Sequence, residues 1–233
     1  MIPHDILTLY TAKAIEYLVA IAFIACFIPF WRFAMSAKAQ PAEATVKARV
    51  PRRTQWVEWF QVSPEVAYHP GHAWARAERP GLVTVGMDDF AQKLVGPIAE
   101  VSLPHVGARV SQGEPAWSVR ADGQSVSMLS PIDGVVAAVN PNIVSSPDLV
   151  NRDPYGDGWL VRVHAPKAEA TLKGLLQPRL ARRWIEEATN DLRRLMAPEL
   201  GLALQDGGVP VDGIAHAIDP SDWRRVARTF LLT

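Results

Sequence analysis

Two histidines, His69 and His72, stand three positions apart, a spacing that can bring two metal ligands close together. A protein metal site of the zinc type needs three or four ligands, and no further ligand lies near these two in the sequence. The other candidates, His105, His164 and His216, are isolated. We therefore predict structural roles for these histidines and no metal site.

Two adjacent carboxylates, Asp88 and Asp89, are the next candidates, because paired acids can share a proton-transfer task. Neighbouring residues point in different directions on a helix or a strand, so these two would not face one substrate. They precede a short helical pattern, "FAQKLVG", and one of them is expected to cap that helix. The sequence shows no nucleophile–base constellation, no phosphate-cradling glycine loop and no haem-attachment motif. We predict neither an enzyme nor a cofactor.

The charge balance and the cysteine content exclude further classes of protein. Lysine plus arginine and aspartate plus glutamate each number 24 in 233 residues, so no basic surplus points to a nucleic-acid partner. The single cysteine, Cys26, rules out an internal disulfide framework and a cysteine-rich metal site. It lies in an apolar run, where a small hydrophobic role is expected.

That apolar run, "AIEYLVAIAFIACFIPFW" at residues 14–31, predicts a single-pass transmembrane helix in contact with the lipid bilayer. A span of roughly 20 apolar residues is long enough to cross a hydrocarbon core. Trp31 and Arg32 follow as an aromatic residue and a cation, the pair expected at a membrane interface. Glu16 is placed in the headgroup zone beside Lys13. The alternative is a cleaved secretory peptide, since "SAKAQ" resembles a cleavage site.

The basic residues around this run predict its orientation. Only Lys13 precedes the run, whereas six follow it: Arg32, Lys38, Lys47, Arg49, Arg52 and Arg53. The positive-inside rule then places the globular part in the cytoplasm. Residues 36–63 are expected to be a linker followed by an aromatic and basic segment, whose aromatics can touch a membrane, a partner or the domain itself.

The stretch from residue 64 to residue 166 predicts a mainly β domain. Short apolar runs such as "GLVTVGM", "EPAWSVR", "VSMLSP" and "GVVAAVN" alternate with Gly, Pro and Asp-Gly turn signals. Many short strands at close intervals indicate a compact, mostly antiparallel sandwich or barrel.

Residues 167–233 predict a helical extension. In the segment 178–198 an inward face is expected at five positions of helical spacing: Leu180, Trp184, Ala188, Leu192 and Leu195. A second helix is expected from "DPSDWRRVARTFLL", with Asp219 as its cap, Pro220 at its first position, and Trp223, Val226 and Phe230 facing inward. The segment between the two helices is expected to be a loop with one strand.

Four segments resemble the H-protein of the glycine cleavage system: "YHPGHAW", "TVGMDDFAQKLVGPIAEVSLPHVGARVSQGEP", "SPIDGVVAAVN" and "SPDLVNRDPYGDGWLVRV". They stand in the order of that family without large insertions and cover about two-fifths of the chain. The resemblance implies a lipoyl-type barrel-sandwich hybrid fold. With the predicted N-terminal transmembrane helix and C-terminal helices, this defines the expected architecture.

The resemblance also implies where the family carries its cargo, a lipoyl group on a lysine at the tip of a β-hairpin. That position falls on Gly123, beside Asp122, and the acidic residue usual three places earlier falls on Arg120. The segment "WSVRADGQSVSM" contains no lysine, and neither glycine nor arginine can form the amide link. The Asp-Gly pair suits a two-residue turn with positive φ. The remaining lysines considered, Lys93, Lys167 and Lys173, are not expected at a hairpin tip.

These observations predict a non-catalytic, non-lipoylated docking subunit of a larger membrane complex, with a respiratory or redox complex as the expected kind. One alternative is a true lipoyl carrier that serves one-carbon or sulfur metabolism, which Gly123 disfavours. The other is a periplasmic adaptor of the membrane-fusion type, to which "SPIDGVV" is similar. Such adaptors insert a long helical hairpin where this sequence has a tight turn. The expected division is an anchor at 1–35, a linker at 36–63, the H-protein-like domain at 64–166 and helices at 167–233.

Overall fold

The structure, a computed structural model, describes residues 4–35, 54–200 and 212–233. The chain divides into two compact units, Met1–Val50 and Pro51–Thr233. Of the segment predicted at residues 36–63 as a linker and an aromatic and basic segment, residues 36–53 lie outside the described residues.

The described part of the first unit is one helix, α1 (His4–Met35), which includes Pro29. Helical backbone is therefore present over the segment predicted to cross a membrane. Among the residues that the structure describes, however, no helix has the length and apolar character needed to span a bilayer. The predicted transmembrane helix is therefore not supported. The side chains of Trp31 and Arg32, predicted at the membrane interface, lie outside the described part of the chain.

The described second unit is built mainly from short strands. The strands are β1 (Gln55–Val57), β2 (Phe60–Val62), β3 (Ala67–Tyr68), β4 (Ala73–Arg79), β5 (Leu82–Met87), β6 (Glu100–Ser102), β7 (Arg109–Val110), β8 (Pro115–Ala121), β9 (Gln124–Leu129), β10 (Gly134–Val139) and β11 (Val161–His164). The helices are α2 (Asp89–Val95), α3 (Pro141–Ser145), α4 (Leu149–Arg152), α5 (Ala168–Gly174), α6 (Pro178–Leu200), α7 (Ile214–Ile218) and α8 (Trp223–Leu231).

The strands form three antiparallel sheets, as the alternating pattern predicts. The largest sheet has six strands in the order β3-β4-β5-β11-β10-β7, a second has the order β6-β8-β9, and β1 pairs with β2 alone. The central pairing sets Val161 opposite Val85 and Val163 opposite Val83, and all four side chains are buried. β5 is buried on both faces, and its β-branched side chains suit such a position in a sheet.

Trp74 on β4 illustrates how tightly the core is packed. Its side chain is fully buried, and its indole N–H donates to the carbonyl oxygens of Met87, at 2.9 Å, and Pro154, at 3.0 Å. The ring lies against Gly86, where an added Cβ would stand 2.4 Å from a ring carbon. Only glycine therefore fits at position 86 of β5.

The predicted inward face of α6 is wrong at two of its five positions. Leu180 and Leu195 are 54% and 41% exposed, whereas Ala181 and Ile185, which were not predicted, are buried. Since residues at i, i+3, i+4 and i+7 share one side of a helix, the buried stripe is the one that runs through Ala181, Ile185 and Ala188. The two leucines lie at its flanks.

The C-terminal predictions also need correction. The segment expected to be a loop with one strand ends in a short helix, α7. Residues 201–211 lie outside the described part, so the strand stays a prediction. Helix α8 begins at Trp223, later than predicted, because Asp219 organises the turn before it. The Asp219 carboxylate accepts hydrogen bonds from Ser221 Oγ at 2.6 Å and from Arg225 at 2.7 Å, which lower its pKa to about 2. The predicted inward positions Trp223 and Val226 are buried.

Candidate functional site

The hairpin formed by β8 and β9 contains Gly123, the position where the family resemblance places the carrier lysine. Its last pair sets Ala121 opposite Gln124, so Asp122 and Gly123 alone form the turn. Their φ angles are 46° and 72°. Positive φ at both central residues is the requirement of a type I′ turn, whose twist matches that of the flanking strands.

The tip itself is open. No heavy atom would lie within 4 Å of a Cβ added at Gly123, so a side chain there would meet only the cost of positive φ. Arg120, three positions before Gly123, forms an ion pair with Glu100, with 3.3 Å between Nε and Oε2. Both side chains are more than half exposed. Position 123 thus presents a backbone without a functional group.

One side of this hairpin contacts the C-terminal segment of the chain. His216 Nδ1 lies 3.5 Å from Asp122 Oδ2 at the tip. Further along β9, the Thr233 hydroxyl donates to the carbonyl oxygen of Ser127 at 3.2 Å. Two residues that follow α6 therefore contact the hairpin, and one of them, Thr233, forms a hydrogen bond with it.

His72 lies in a buried position beneath α6. Its Nδ1 is 2.9 Å from Asp88 Oδ2, and its ring stacks between Phe90 and Trp184, with centroid distances of 4.2 and 4.3 Å. The other oxygen of Asp88 accepts from the backbone N–H of Ala91 at 2.8 Å and so caps α2, as predicted. The His72–Asp88 pair therefore joins α6, α2 and the loop before β4.

His69 has a separate role. Its Nδ1 accepts a hydrogen bond from the backbone N–H of Gly71 at 3.0 Å, which closes a tight turn. Burial lowers the pKa of this imidazole, and the neighbouring His72 adds to the effect. The described residues contain no cluster of three or more metal-ligating side chains. The two histidines thus have backbone and carboxylate partners of their own.

Asp89 forms a second buried polar centre. The sequence showed only that Asp89 is adjacent to another carboxylate, and it did not indicate the partners of Asp89. Its carboxylate accepts from Gln61 N at 2.7 Å and from Gln92 Nε2 at 2.8 Å. Lys93 Nζ lies 3.1 Å away. Burial raises the pKa of Asp89, and these three contacts act in the opposite direction. The centre ties the β1–β2 hairpin to α2.

Lys93 is thereby excluded as a substitute carrier lysine. Its side chain is only 13% exposed, and its amine also donates to the carbonyl oxygen of Trp59 at 3.0 Å. Lys173 lies in the last turn of α5, paired with Glu169, and Lys167 directly precedes that helix. None of the three stands at a hairpin tip.

Two tyrosines close the same region. Tyr155, from the "DPYGDGW" motif, donates from its hydroxyl to the carbonyl oxygen of Gln61 at 2.7 Å. The Tyr68 hydroxyl accepts from the backbone N–H of Ser63 at 2.6 Å. Burial raises the pKa of both phenols well above the usual range. They remain neutral, and their hydroxyl groups hydrogen-bond to the backbone of the segment that precedes β3.

The chain belongs to the glycine cleavage H-protein family, whose sequence model matches residues 66–188. It is 39% identical over 126 residues to a glycine cleavage system H protein of Pseudoalteromonas atlantica, which covers 54% of this chain and 97% of that protein. It is 41% identical over 115 residues to the H protein of Chromobacterium violaceum, covering 49% and 89% of the two chains.

A crystal structure of an H protein from Mycobacterium marinum is also similar. It is 31% identical in sequence, covers 45% of this chain and 86% of its own, and has a TM-score of 0.42. The predicted mainly β, H-protein-like domain with C-terminal helices is confirmed by the family match and the strand content. H-proteins are carriers rather than catalysts, which is consistent with the prediction that this chain is not an enzyme.

Proposed function

We propose that this chain is an H-protein-family domain that carries no lipoyl group at its hairpin and acts as a non-catalytic docking subunit of a larger assembly. The observation that carries the proposal is the β8–β9 turn. Gly123, aligned by the motif spacing with the carrier lysine, has no side chain, and no lysine stands between residues 115 and 129. Attachment of lipoate requires a primary amine, so this hairpin cannot be loaded.

The geometry of the turn gives this proposal a sharp test, because the position is otherwise suited to a carrier. The type I′ turn projects residue 123 into open space, and replacement by lysine costs only the strain of positive φ, of the order of 1 kcal/mol. Incubation of the purified chain with a lipoate–protein ligase, lipoate and ATP, followed by intact-mass analysis, should leave the wild-type chain unmodified. G123K should gain one lipoyl-sized adduct.

The matched control is G113K. Gly113 also has positive φ, 79°, and open space around its Cβ position, but it does not lie at the tip of this hairpin. We expect G113K to stay unmodified. Modification of the wild-type chain would contradict the proposal and restore the carrier alternative, since another lysine would then be in use. Modification of G113K would show that the ligase does not require its target lysine to lie at the tip of this hairpin.

The two alternative functions make different demands on this hairpin. A lipoyl carrier for one-carbon or sulfur metabolism needs the amine that position 123 lacks. A periplasmic adaptor usually separates its two half-motifs by a long helical hairpin, whereas β8 and β9 are joined by two residues. The family match favours the lipoyl carrier over the periplasmic adaptor as the second candidate. The same mass measurement separates the lipoyl carrier from the non-lipoylated docking subunit.

The partners named from the sequence, a lipid bilayer at residues 14–31 and the subunits of a membrane complex, stay predictions. Alkaline carbonate extraction of native membranes tests the first, by comparing the full chain with a chain that begins at residue 54. Selective retention of the full chain in the pellet would support the predicted location. Equal release of both chains would contradict it.

A further inference from the structure

Several aspartates of this chain are followed directly by glycine: Asp122, Asp133, Asp157, Asp206 and Asp212. An Asp-Gly pair can rearrange, because glycine has no side chain to shield its backbone nitrogen from the carboxyl carbon of the aspartate. The rearrangement requires that nitrogen to be free and the Cα–C bond of the aspartate to rotate. Asp206 lies outside the described residues, and the structure describes the other pairs.

Two of the described pairs are held by hydrogen bonds from the glycine nitrogen itself. Gly158 donates its backbone N–H to the carbonyl oxygen of Asp153 at 2.9 Å. Gly213 donates its backbone N–H to the carbonyl oxygen of Lys93 at 2.8 Å. Rearrangement at Asp157 or Asp212 would first have to break one of these bonds.

A third pair is held by the largest sheet. Gly134 lies in β10, where it stands opposite Val110 of β7. The Asp133 carboxylate accepts a hydrogen bond from the backbone N–H of Gln112 at 2.8 Å. Both reacting groups of this pair are therefore fixed, the nitrogen by its strand and the carboxylate by its donor.

The pair at the tip of the β8–β9 hairpin is not held in this way. The backbone N–H of Gly123 donates to no residue that the structure describes. The Asp122 side chain is 73% exposed, and its φ of 46° is unfavourable for a residue with a Cβ. Rotation at Asp122 moves only the turn, because the ladder begins at the pair of Ala121 and Gln124.

We propose that Asp122 is a modification site at which isoaspartate forms without an enzyme. The nitrogen of Gly123 bonds to Cγ of the protonated Asp122 carboxyl group, and one water molecule leaves with a carboxyl oxygen. One water molecule then opens the resulting succinimide ring. Cleavage between the nitrogen and Cγ restores aspartate, whereas cleavage between the nitrogen and the main-chain carbonyl carbon gives isoaspartate. The water that is lost is regained, so no other reactant is needed.

The product has a different hairpin tip. Isoaspartate lengthens the main chain by one methylene group at constant charge, and a two-residue turn depends on the normal backbone length. The carboxylate also moves away from the position at which Asp122 Oδ2 lies 3.5 Å from His216 Nδ1. The modification therefore alters the contact between the hairpin and the segment that contains His216.

The test is to incubate the full wild-type chain for several weeks in mildly acidic buffer, with a parallel sample unfolded in urea. Electron-transfer fragmentation of proteolytic peptides distinguishes isoaspartate from aspartate, which has the same mass. In the folded chain, isoaspartate should accumulate about tenfold faster at residue 122 than at residues 133, 157 and 212. In urea these sites should react at similar rates, because the bonds that hold three of them are absent.

A pair of variants separates the attack from the strain of the turn. G123A places a methyl group beside the attacking nitrogen and should slow isoaspartate formation at residue 122 about tenfold. G113A is the matched control, because Gly113 also has positive φ and open space around its Cβ position. G113A should modify Asp122 at the wild-type rate. Circular dichroism of both variants verifies that they are folded.

Three results would overturn this inference. The first is a folded wild-type chain in which residue 133, 157 or 212 reacts as fast as Asp122. The second is a preference for Asp122 that persists in urea, since the local sequence and not the turn would then be its cause. The third is a folded G123A that reacts at residue 122 as fast as the wild-type chain. No step involves lipoate or a lysine, so this inference and the proposed function fail separately.

Discussion

His72 Nδ1 lies 2.9 Å from Asp88 Oδ2, and both side chains are almost completely buried. The same carboxylate caps α2, and the same imidazole stacks on Trp184 of α6. One pair of residues thus couples the start of α2 to the helix that follows the β domain. This geometry explains why the two side chains are buried together.

The first prediction concerns that pair. H72A should lower the free energy of unfolding by about 2–4 kcal/mol, because it leaves a cavity between two rings and a buried carboxylate short of a partner. H72N should cost less, since asparagine tolerates the φ of 61° at this position and can still donate to Asp88. Urea unfolding followed by circular dichroism measures both. Equal stability of H72A and the wild-type chain would contradict the structural role.

The second prediction concerns the close approach of Trp74 and Gly86. G86A should cost about 1–3 kcal/mol, because its Cβ would overlap the indole and force the sheet to shift. The matched control is G174A, at the end of α5, where an added Cβ meets nothing within 4 Å. We expect G174A to be neutral or slightly stabilising. Thermal unfolding of the two variants side by side gives the comparison, and a G86A as stable as G174A would refute this packing.

The third prediction compares two lysine–carboxylate pairs of equal sequence spacing. Lys93–Asp89 is mostly buried, whereas Lys173–Glu169 is 76% and 87% exposed. K93M should cost about 1–3 kcal/mol at neutral pH, because the buried carboxylate loses a charge partner. K173M should leave the free energy of unfolding close to that of the wild-type chain, because solvent screens an exposed pair.

The pH dependence of K93M follows from the direction of the Asp89 shift. Burial raises the folded-state pKa of Asp89 above its ordinary 3.8, so the stability it contributes is present below that value and is lost as pH rises through the folded pKa. Loss of Lys93 removes an influence that lowers this pKa. The stability gap between K93M and the wild-type chain should therefore narrow as pH falls towards 4. A gap that widens on acidification would contradict the assignment.

Local signals in the sequence predicted much of the fold. Alternating apolar residues predicted strands such as β5 and β8, and the Asp-Gly pair predicted a two-residue turn at Asp122–Gly123. A cap at either Asp88 or Asp89 followed from their place before an apolar helical run. Each depends on neighbours in sequence, which periodicity and turn chemistry describe well.

Long-range relationships could not be predicted in the same way. The stacking of His72 on Trp184 joins residues more than a hundred positions apart, and nothing in the local pattern of either indicates it. Leu180 was expected to face inward because it is large and apolar, yet the domain packs on Ala181 and Ile185 instead. The place of α8 on the hairpin likewise depends on tertiary packing, which overrides local preference.

The most direct measurement is the intact mass of the native chain, isolated from its own cells grown with lipoate. Every lysine is then exposed to the lipoylating enzymes that act in those cells. We expect a mass without a lipoyl group, because residue 123 offers no amine. A lipoyl-sized adduct on any lysine would contradict it and identify the chain as a carrier.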